Sequence, residues 1–160
     1  MIWLRAVAFF LTVQVGAVVL VPTLMGVYAA GPRLPLGDIR YIGAVSVACG
    51  AAVILWCNYL FVERGKGTAA PYDPPRDFVA VGAYGFVRNP MYVGATLMTL
   101  GQALLWRSST LLAYSVLLAL AYHIFVRYFE EPRLIELFGA TYAKYCADVP
   151  RWWPRTPRAT

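Results

Sequence analysis

A charged corner stands in the middle of the chain, in the stretch GAYGFVRNPMYVG at residues 82–94. Asparagine favours the N-cap position of a helix and proline favours its first turn, so Asn89 and Pro90 predict that a helix begins here. The unpaired backbone N–H groups and the dipole at a helix start attract anions, and Arg88 adds a full positive charge beside them. The corner therefore predicts a site for an anionic group.

A membrane surface is the alternative explanation for the same residues. Arginines at helix ends commonly extend their charge to lipid phosphates, which would account for Arg88 without any site. Tyr84 and Tyr92 flank the corner and would then be interfacial aromatic residues. The bare pattern leaves both interpretations open.

A second group of ionisable residues follows further along the chain. His123, Arg127 and Glu130 lie four and three residues apart, which puts them on one face if the helix stays regular up to Pro132. Ionisable groups near membrane depth usually face a protein interior or a wet cavity. Glu131 follows directly, and we call these two neighbouring glutamates the acidic pair. A structural histidine and two acids that merely mark a helix boundary are the alternatives.

The composition shows what must position these groups. The chain has 160 residues, of which 60% are hydrophobic and 14% charged, so it is far more apolar than an ordinary globular domain. A helix needs about 20 apolar residues to cross a bilayer. We therefore predict an all-α, multi-pass membrane protein with four transmembrane helices and short C-terminal cytosolic helices. The four predicted spans are residues 7–30, 42–62, 91–106 and 111–129.

The basic residues predict the orientation of this bundle. With the N-terminus inside, all but three of the 14 Lys and Arg residues lie on the cytosolic side, and only Arg33, Arg40 and Arg107 lie outside. Both termini and the central loop then face the cytosol, at a plasma or inner membrane. The net charge of +6 is explained by this bias and by anionic headgroups, without a nucleic-acid partner.

We predict a single membrane domain over residues 1–160. Residues 1–62 form a scaffold of two spans, residues 63–90 a cytosolic loop rich in turn residues, and residues 91–160 the cofactor-binding core and tail. The three cysteines show no C-x-x-C spacing, so no metal site is predicted. The oligomeric state cannot be read from the spans.

The tail is predicted to contain two short helices and an anchor. Proline cannot continue a helix without losing a hydrogen bond, so one helix is predicted over residues 132–138, ending at Gly139, and another from Thr141. Trp152 and Trp153, with the arginines beside them, are predicted to lie at headgroup level.

The segment from Tyr84 to Arg151 resembles the integral-membrane methyltransferases that include isoprenylcysteine carboxyl methyltransferase and the phospholipid N-methyltransferases. Their pattern is R-H-P-x-Y-x-G, a hydrophobic span, E-E-x-x-L, F-G with spaced tyrosines, and V-P-R. This chain has RNPMYVG at 88–94, EEPRL at 130–134, FGATYAKY at 138–145 and VPR at 149–151. One position departs from the pattern, because Asn89 replaces a histidine and cannot take up a proton.

The resemblance implies S-adenosylmethionine as the methyl donor, held in a cytosol-facing pocket between the last two spans and the C-terminal helices. It assigns catalytic roles to Arg88, Tyr92 and Glu130. It implies the following cofactor-binding residues: Tyr84, Asn89, Pro90, Gly94, His123, Glu131, Leu134, Phe138, Tyr142 and Tyr145.

Chemical groups of the donor suggest how these residues divide their work. One of the acidic pair would hold the ribose or amino group, Tyr142 and Tyr145 would line the adenosine or sulfonium side, and His123 or Arg88 would take the carboxylate. A lipophilic acceptor is expected to enter from the bilayer. A carboxylate acceptor needs no base, whereas an amine or thiol needs a proton acceptor, for which the acidic pair and His123 are candidates.

Two other functions stay open. A membrane reductase of the sterol-reductase kind would hold NADPH in a similar C-terminal arrangement, although its 2′-phosphate calls for more basic residues than this acid-containing tail offers. A non-catalytic bundle, such as a transporter or an accessory subunit, would leave the corner at Arg88 and the acidic pair without a shared ligand. The enzyme interpretation therefore requires that these two features lie together.

Overall fold

The computed structural model describes residues 2–28, 31–67 and 77–155. These parts of the chain are helical, and they contain no strand beyond an isolated bridge between Arg33 and Ser108. The all-α prediction is therefore confirmed. The end of the predicted first span, part of the central loop and the end of the tail lie outside the described residues, at 29–30, 68–76 and 156–160.

Five helical segments follow one another in the described chain. They are α1 (Ile2–Leu24), α2 (Gly37–Glu63), the single turn α3 (Ala83–Phe86), α4 (Pro90–Trp106) and α5 (Ser109–Asp148). Helix α1 contains two π-helical turns, Phe10–Gln14 and Gly16–Leu20. Helix α2 begins with a 3-10 segment over Gly37–Tyr41 and is α-helical over Ile42–Glu63.

Three of these helices are long and apolar enough to cross a membrane, namely α1, α2 and α5. Helix α4 has 17 residues. At 1.5 Å per residue it is about 26 Å long, which is less than the hydrocarbon core of about 30 Å. The structure thus supports membrane-spanning helices but does not confirm the predicted count of four.

Helices α2 and α4 run antiparallel and touch through glycines. Gly94 and Gly101 on α4 face Gly50 and Gly43 on α2. A Cβ atom on Gly94 would lie 2.8 Å from the carbonyl oxygen of Gly50, and one on Gly101 would lie 2.6 Å from that of Gly43. Only glycine fits at such separations, and small residues are what allow membrane helices to approach closely. These contacts fix α4 against α2.

Helix α5 continues through the position where the sequence predicted a break. Pro132 lies two residues after the end of a π-helical turn over Val126–Glu130, in which the N–H of Glu131 donates to the carbonyl of Val126. We attribute the continuity to this wide turn, which changes the backbone hydrogen-bond register just before the proline ring. The separate helix predicted from residue 132 is therefore wrong. Gly139, with φ of 51° and ψ of −126°, does interrupt the helical backbone before it resumes.

A tight turn joins α4 to α5 at one end of the bundle, and we call Arg107 and Ser108 the closing turn. Arg107 has a left-handed conformation, with φ of 54°. Its Nε donates to the carbonyl of Leu34 at 2.7 Å. Ser108 Oγ accepts the N–H of Leu111 at 3.1 Å and donates to the carbonyl of Val27 at 2.9 Å. The side chains of the closing turn thus form hydrogen bonds with backbone groups of neighbouring segments.

Candidate active site

Helix α4 begins where the sequence predicts, but Asn89 is used differently. Asn89 occupies the N-cap position, and its carbonyl accepts the N–H of Val93 at 3.2 Å. Its side chain makes no capping hydrogen bond. Instead, Nδ2 donates to the carbonyl of Arg151 at 3.2 Å. The prediction of a side-chain cap is therefore wrong: the amide is held through Nδ2 by the tail, its oxygen accepts no capping bond, and the buried Pro90 starts the helix without one.

A buried group of charges joins the loop before α4 to α5, and we call Arg88, Glu131 and Arg151 the ion cluster. Arg88 Nη1 lies 2.9 Å from Glu131 Oε1. Arg151 donates from Nε and Nη2 to the two oxygens of Glu131, at 2.9 and 2.7 Å. These hydrogen bonds raise the pKa of Arg151. The structure therefore brings together the corner at Arg88 and the acidic pair.

Burial explains why Glu131 needs both guanidinium groups. The side chains of Glu131 and Arg88 are only 11% and 12% exposed. A charge removed from water is strongly destabilising unless it is paired and its remaining hydrogen-bonding capacity is satisfied. Two arginines supply both conditions for this carboxylate.

Arg88 keeps one donor that no described residue uses. Its backbone N–H donates to the carbonyl of Pro150 at 2.9 Å, and its Nη1 also donates to Cys146 Sγ at 2.7 Å. Its Nε is buried and finds no hydrogen-bond partner among the described residues. An unsatisfied buried donor is unfavourable, so this N–H calls for a hydrogen-bond partner that the described residues do not supply.

Glu130 has a different environment from its neighbour. Its Oε2 accepts the hydroxyl of Tyr92 at 2.7 Å, and no cation of the described chain forms an ion pair with it. The ring of Tyr92 contacts that of Tyr122, with centroids 4.6 Å apart. A half-buried carboxylate beside two aromatic rings suits a cation or a proton.

A hydrophobic cluster, mostly aromatic, lies against the ion cluster and includes Phe78, Leu134, Phe138, Tyr142 and Tyr145. The ring of Phe78 is central, because its centroid lies 5.0 Å from that of Tyr145, 5.7 Å from Tyr142 and 5.2 Å from Phe138. Cys146, which contacts Arg88, packs on the same cluster. The structure therefore gathers four of the predicted cofactor-binding residues, all from α5, beside the charges.

Two other predicted cofactor-binding residues have packing roles. Tyr84 is buried, its carbonyl accepts the hydroxyl of Tyr145 at 2.7 Å, and burial raises the pKa of its own hydroxyl well above the usual range. Gly94 faces Gly50 on α2, whereas Tyr92 meets Glu130 on α5. A direct role for Tyr84 or Gly94 in cofactor binding stays a prediction.

The tail folds back over the site, and we call residues 150–155 the strap. Besides its contacts with Arg88, Asn89 and Glu131, it returns to the single turn α3, because the N–H of Arg155 donates to the carbonyl of Phe86 at 3.0 Å. The strap therefore touches both the loop before α4 and helix α5.

The strap also reaches His123. The Nε1–H of Trp152 donates to His123 Nδ1 at 3.0 Å, whereas the neighbouring Trp153 is 84% exposed. Only Trp153 thus has the exposure expected of a headgroup anchor. Arg127 is exposed and lies over the ring of Tyr128, with 5.9 Å to its centroid. The expectation that Arg127 shares a face with His123 and Glu130 required a regular helix up to Pro132, and the π-helical turn over Val126–Glu130 does not meet this condition.

Three residues that contact the site were not predicted as part of it. Arg151 belongs to the VPR motif at residues 149–151, and that motif was the available signal. Cys146 and Trp152 carried no such signal, since a lone cysteine and an interfacial tryptophan are ordinary features of membrane proteins. Trp152 reaches the site through the return of the strap, whereas Cys146 reaches it from the last turns of α5.

The comparisons with known proteins point to one family. The sequence model of the phospholipid methyltransferase family matches residues 39–141, which is more than half of the chain. The matched segment includes α4, Arg88 and the acidic pair, and it ends before the strap. No curated protein and no solved structure matches the chain.

Proposed function

Because the chain belongs to the phospholipid methyltransferase family, we propose that it transfers a methyl group from S-adenosylmethionine to a lipophilic acceptor at the cytosolic membrane face. The observation that carries the proposal is the 2.9 Å contact between Arg88 and Glu131, which joins the loop before α4 to the acidic pair. The family match favours methyl transfer over a nicotinamide-dependent reductase or a non-catalytic bundle.

The side chains around this contact fit the chemical groups of S-adenosylmethionine. Glu130 and the rings of Tyr92 and Tyr122 offer a carboxylate and aromatic faces to a cation, as a sulfonium or an ammonium group requires. The unused Nε–H of Arg88 offers a donor to a carboxylate. When bound, S-adenosylmethionine supplies an electrophilic methyl group.

Glu131 acts as a positioning residue in this scheme. Both of its oxygens accept hydrogen bonds from Arg151, and one also pairs with Arg88. Its remaining capacity for a ribose hydroxyl is therefore smaller than that of Glu130. Its contribution is to hold the guanidinium group of Arg88 in place.

Glu130 is the proton acceptor if the methyl acceptor is an amine or a thiol. Tyr92 holds one oxygen of Glu130, and the other has no partner among the described residues. This second oxygen receives the proton that such an acceptor releases. A carboxylate acceptor releases no proton, and in that case Glu130 would serve only the cation of the donor.

The distribution of basic residues supports a cytosolic site. Arg33 and Arg107 lie near the closing turn, at the opposite end of α4 from Arg88. The ion cluster and the strap lie at the end that carries most of the positive charge. Since basic residues are retained on the cytosolic side, this end faces the cytosol.

A ligand-binding experiment tests the proposal. Purified protein in detergent would be unfolded by heat with S-adenosylmethionine, S-adenosylhomocysteine or NADPH. We expect both adenosyl ligands to raise Tm. At a ligand concentration of about 100 times Kd, the free energy of unfolding should increase by about 2.7 kcal/mol. A response only to NADPH would instead indicate a reductase, and no response to any of the three would contradict an enzyme of either kind.

A second experiment identifies the acceptor. Membrane extracts would be incubated with the protein and a methyl-labelled donor, and the products analysed by mass spectrometry. We expect label in a lipid fraction. Label that appears only in water-soluble products would contradict a lipophilic acceptor while leaving methyl transfer intact.

A further inference from the structure

The hydrogen bond between Trp152 and His123 fixes the chemistry of the imidazole. The indole N–H is a donor only, so His123 Nδ1, 3.0 Å away, must be unprotonated to accept it. A neutral imidazole with its lone pair on Nδ1 carries its proton on Nε2. His123 is also the one histidine in the chain. No other imidazole can take over its role.

We propose that Trp152 is a positioning residue that holds His123 in the Nε2–H tautomer, so that His123 donates a hydrogen bond to an anionic oxygen of the ligand. Within the proposed function, His123 is then not the proton acceptor. Trp152 lies beyond the segment that matches the family, which ends at residue 141. The inference rests on the proposed function only for the identity of the ligand.

The strap holds Trp152 on both sides. The preceding residue, Arg151, pairs with Glu131 through its side chain and accepts the amide of Asn89 through its carbonyl. Three residues later, the N–H of Arg155 donates to the carbonyl of Phe86. The indole is therefore presented to His123 by backbone that is fixed to both sides of the site.

The two polar residues of α5 then have separate roles. Glu130 keeps a carboxylate oxygen that no described residue contacts by a hydrogen bond and suits a cation or a proton, whereas His123 offers an N–H. The matching ligand group is an anionic oxygen. It belongs either to the carboxylate of the methyl donor or to the phosphate of a lipid acceptor.

Nuclear magnetic resonance of the full-length protein tests the tautomer directly. Protein with ¹⁵N-labelled histidine gives the signals of a single imidazole, in which we expect an unprotonated Nδ1 and a protonated Nε2. Trp152→Phe keeps an aromatic ring but removes the donor, so we expect a mixture of the two neutral tautomers. The matched control is Trp153→Phe, which changes an exposed neighbour and should leave the signals unchanged.

Two results would overturn the positioning role. One is a proton on Nδ1 in the unaltered protein, and the other is an unchanged tautomer in Trp152→Phe. Neither measurement needs turnover. A failure of the proposed function, seen as absence of methyl transfer, is therefore distinguishable from a failure of this inference.

The anionic oxygen can be identified by adding each probe in turn. We expect the Nε2–H proton signal to move either with S-adenosylhomocysteine, which carries the carboxylate, or with vesicles of phosphatidylethanolamine, which carry a phosphate. The first response assigns the carboxylate and the second the phosphate. A signal that moves with neither probe would contradict the donor role.

Substitutions of His123 give a kinetic test. His123→Gln retains an N–H donor near the position of Nε2, whereas His123→Glu has a similar size without one. We expect the glutamine variant to keep kcat/KM within about fivefold of the unaltered protein, and the glutamate variant to lose about tenfold more. Equal losses in the two variants would contradict a donor at this position.

Discussion

The two ends of the helical bundle use their buried polar groups in different ways. At the closing turn, Arg107 and Ser108 donate to backbone carbonyls, and Ser108 caps the start of α5. At the other end, Arg88, Glu131 and Arg151 bond mainly to one another. The first arrangement supplies hydrogen-bond partners to backbone groups near helix ends, whereas the second brings charged side chains together where they are largely removed from water.

The fold accounts for the polar groups at one of these ends but not for those at the other. Backbone groups at helix ends must find partners, so the fold itself explains the closing turn. No helix end requires a buried carboxylate between two arginines, and replacing such clusters by apolar side chains is often neutral or stabilising. The unused Nε of Arg88 points the same way. The ion cluster is therefore the part of the molecule that the packing of the helices alone does not explain.

The largest effect on stability is expected at the ion cluster. Glu131→Gln leaves two guanidinium groups without their carboxylate, and we expect a loss of about 3 kcal/mol in the free energy of unfolding. Thermal unfolding in detergent measures it. The control is Asp77→Asn, which breaks an exposed 3.1 Å pair with Lys66 and should cost less than about 1 kcal/mol. Equal losses of unfolding free energy in Glu131→Gln and Asp77→Asn would contradict the expected difference between buried and exposed charges.

We expect Glu131 of the acidic pair to contribute mainly to stability and Glu130 to contribute mainly to catalysis. With an amine or thiol acceptor, Glu130→Gln should lower kcat about 100-fold, or about 2.7 kcal/mol, because the proton acceptor is lost. Methyl transfer from a labelled donor measures the rate. Glu136→Gln changes an exposed glutamate of the same helix and should keep full activity. An unchanged rate in Glu130→Gln would exclude this role.

A smaller effect is expected at the glycine contact between α2 and α4, where a substitution should disturb helix packing. Gly94→Ala adds a Cβ that would lie 2.8 Å from the carbonyl oxygen of Gly50, so α2 and α4 must separate. We expect a loss of about 2 kcal/mol, typical of overpacking. Thermal unfolding with and without S-adenosylhomocysteine measures both stability and affinity. A stable variant with lost affinity would instead support direct cofactor binding by Gly94.

The smallest effect is expected at the closing turn. Ser108→Ala removes the N-cap of α5 and the bond to Val27, at a cost of about 1 kcal/mol. Activity per folded molecule should not change, because this end lies away from the ion cluster. Reduced kcat in a fully folded Ser108→Ala protein would show that the two ends are coupled.

Local patterns predicted part of this architecture. The start of α4 followed from Asn89 and Pro90, and the interruption at Gly139 followed from glycine at a helix end. The passage of α5 through Pro132 did not follow, because the π-helical turn before it has no signature in residue type. The count of four spans rested on apolar length, and α4 is shorter than a bilayer core.

The candidate site was predictable where a motif named it. The proximity of Arg88 to the acidic pair followed from the family resemblance, although the direct bond to Glu131 did not. The strap was missed because arginine and tryptophan also mark headgroup anchors. Which of Trp152 and Trp153 turns inward depends on tertiary contacts that sequence spacing does not encode.

The length of α5 has a consequence for how substrates arrive. Up to the interruption at Gly139, its 30 residues (109–138) would extend about 45 Å if straight, half as long again as a hydrocarbon core of about 30 Å, so part of the helix must project beyond the lipid tails. On the proposed function, the acidic pair, about 32 Å along the helix from Ser109, would lie near the boundary between the lipid tails and water. On the proposed function, a water-soluble donor and an oil-soluble acceptor would each approach this boundary from its own phase, and neither would have to cross into the other.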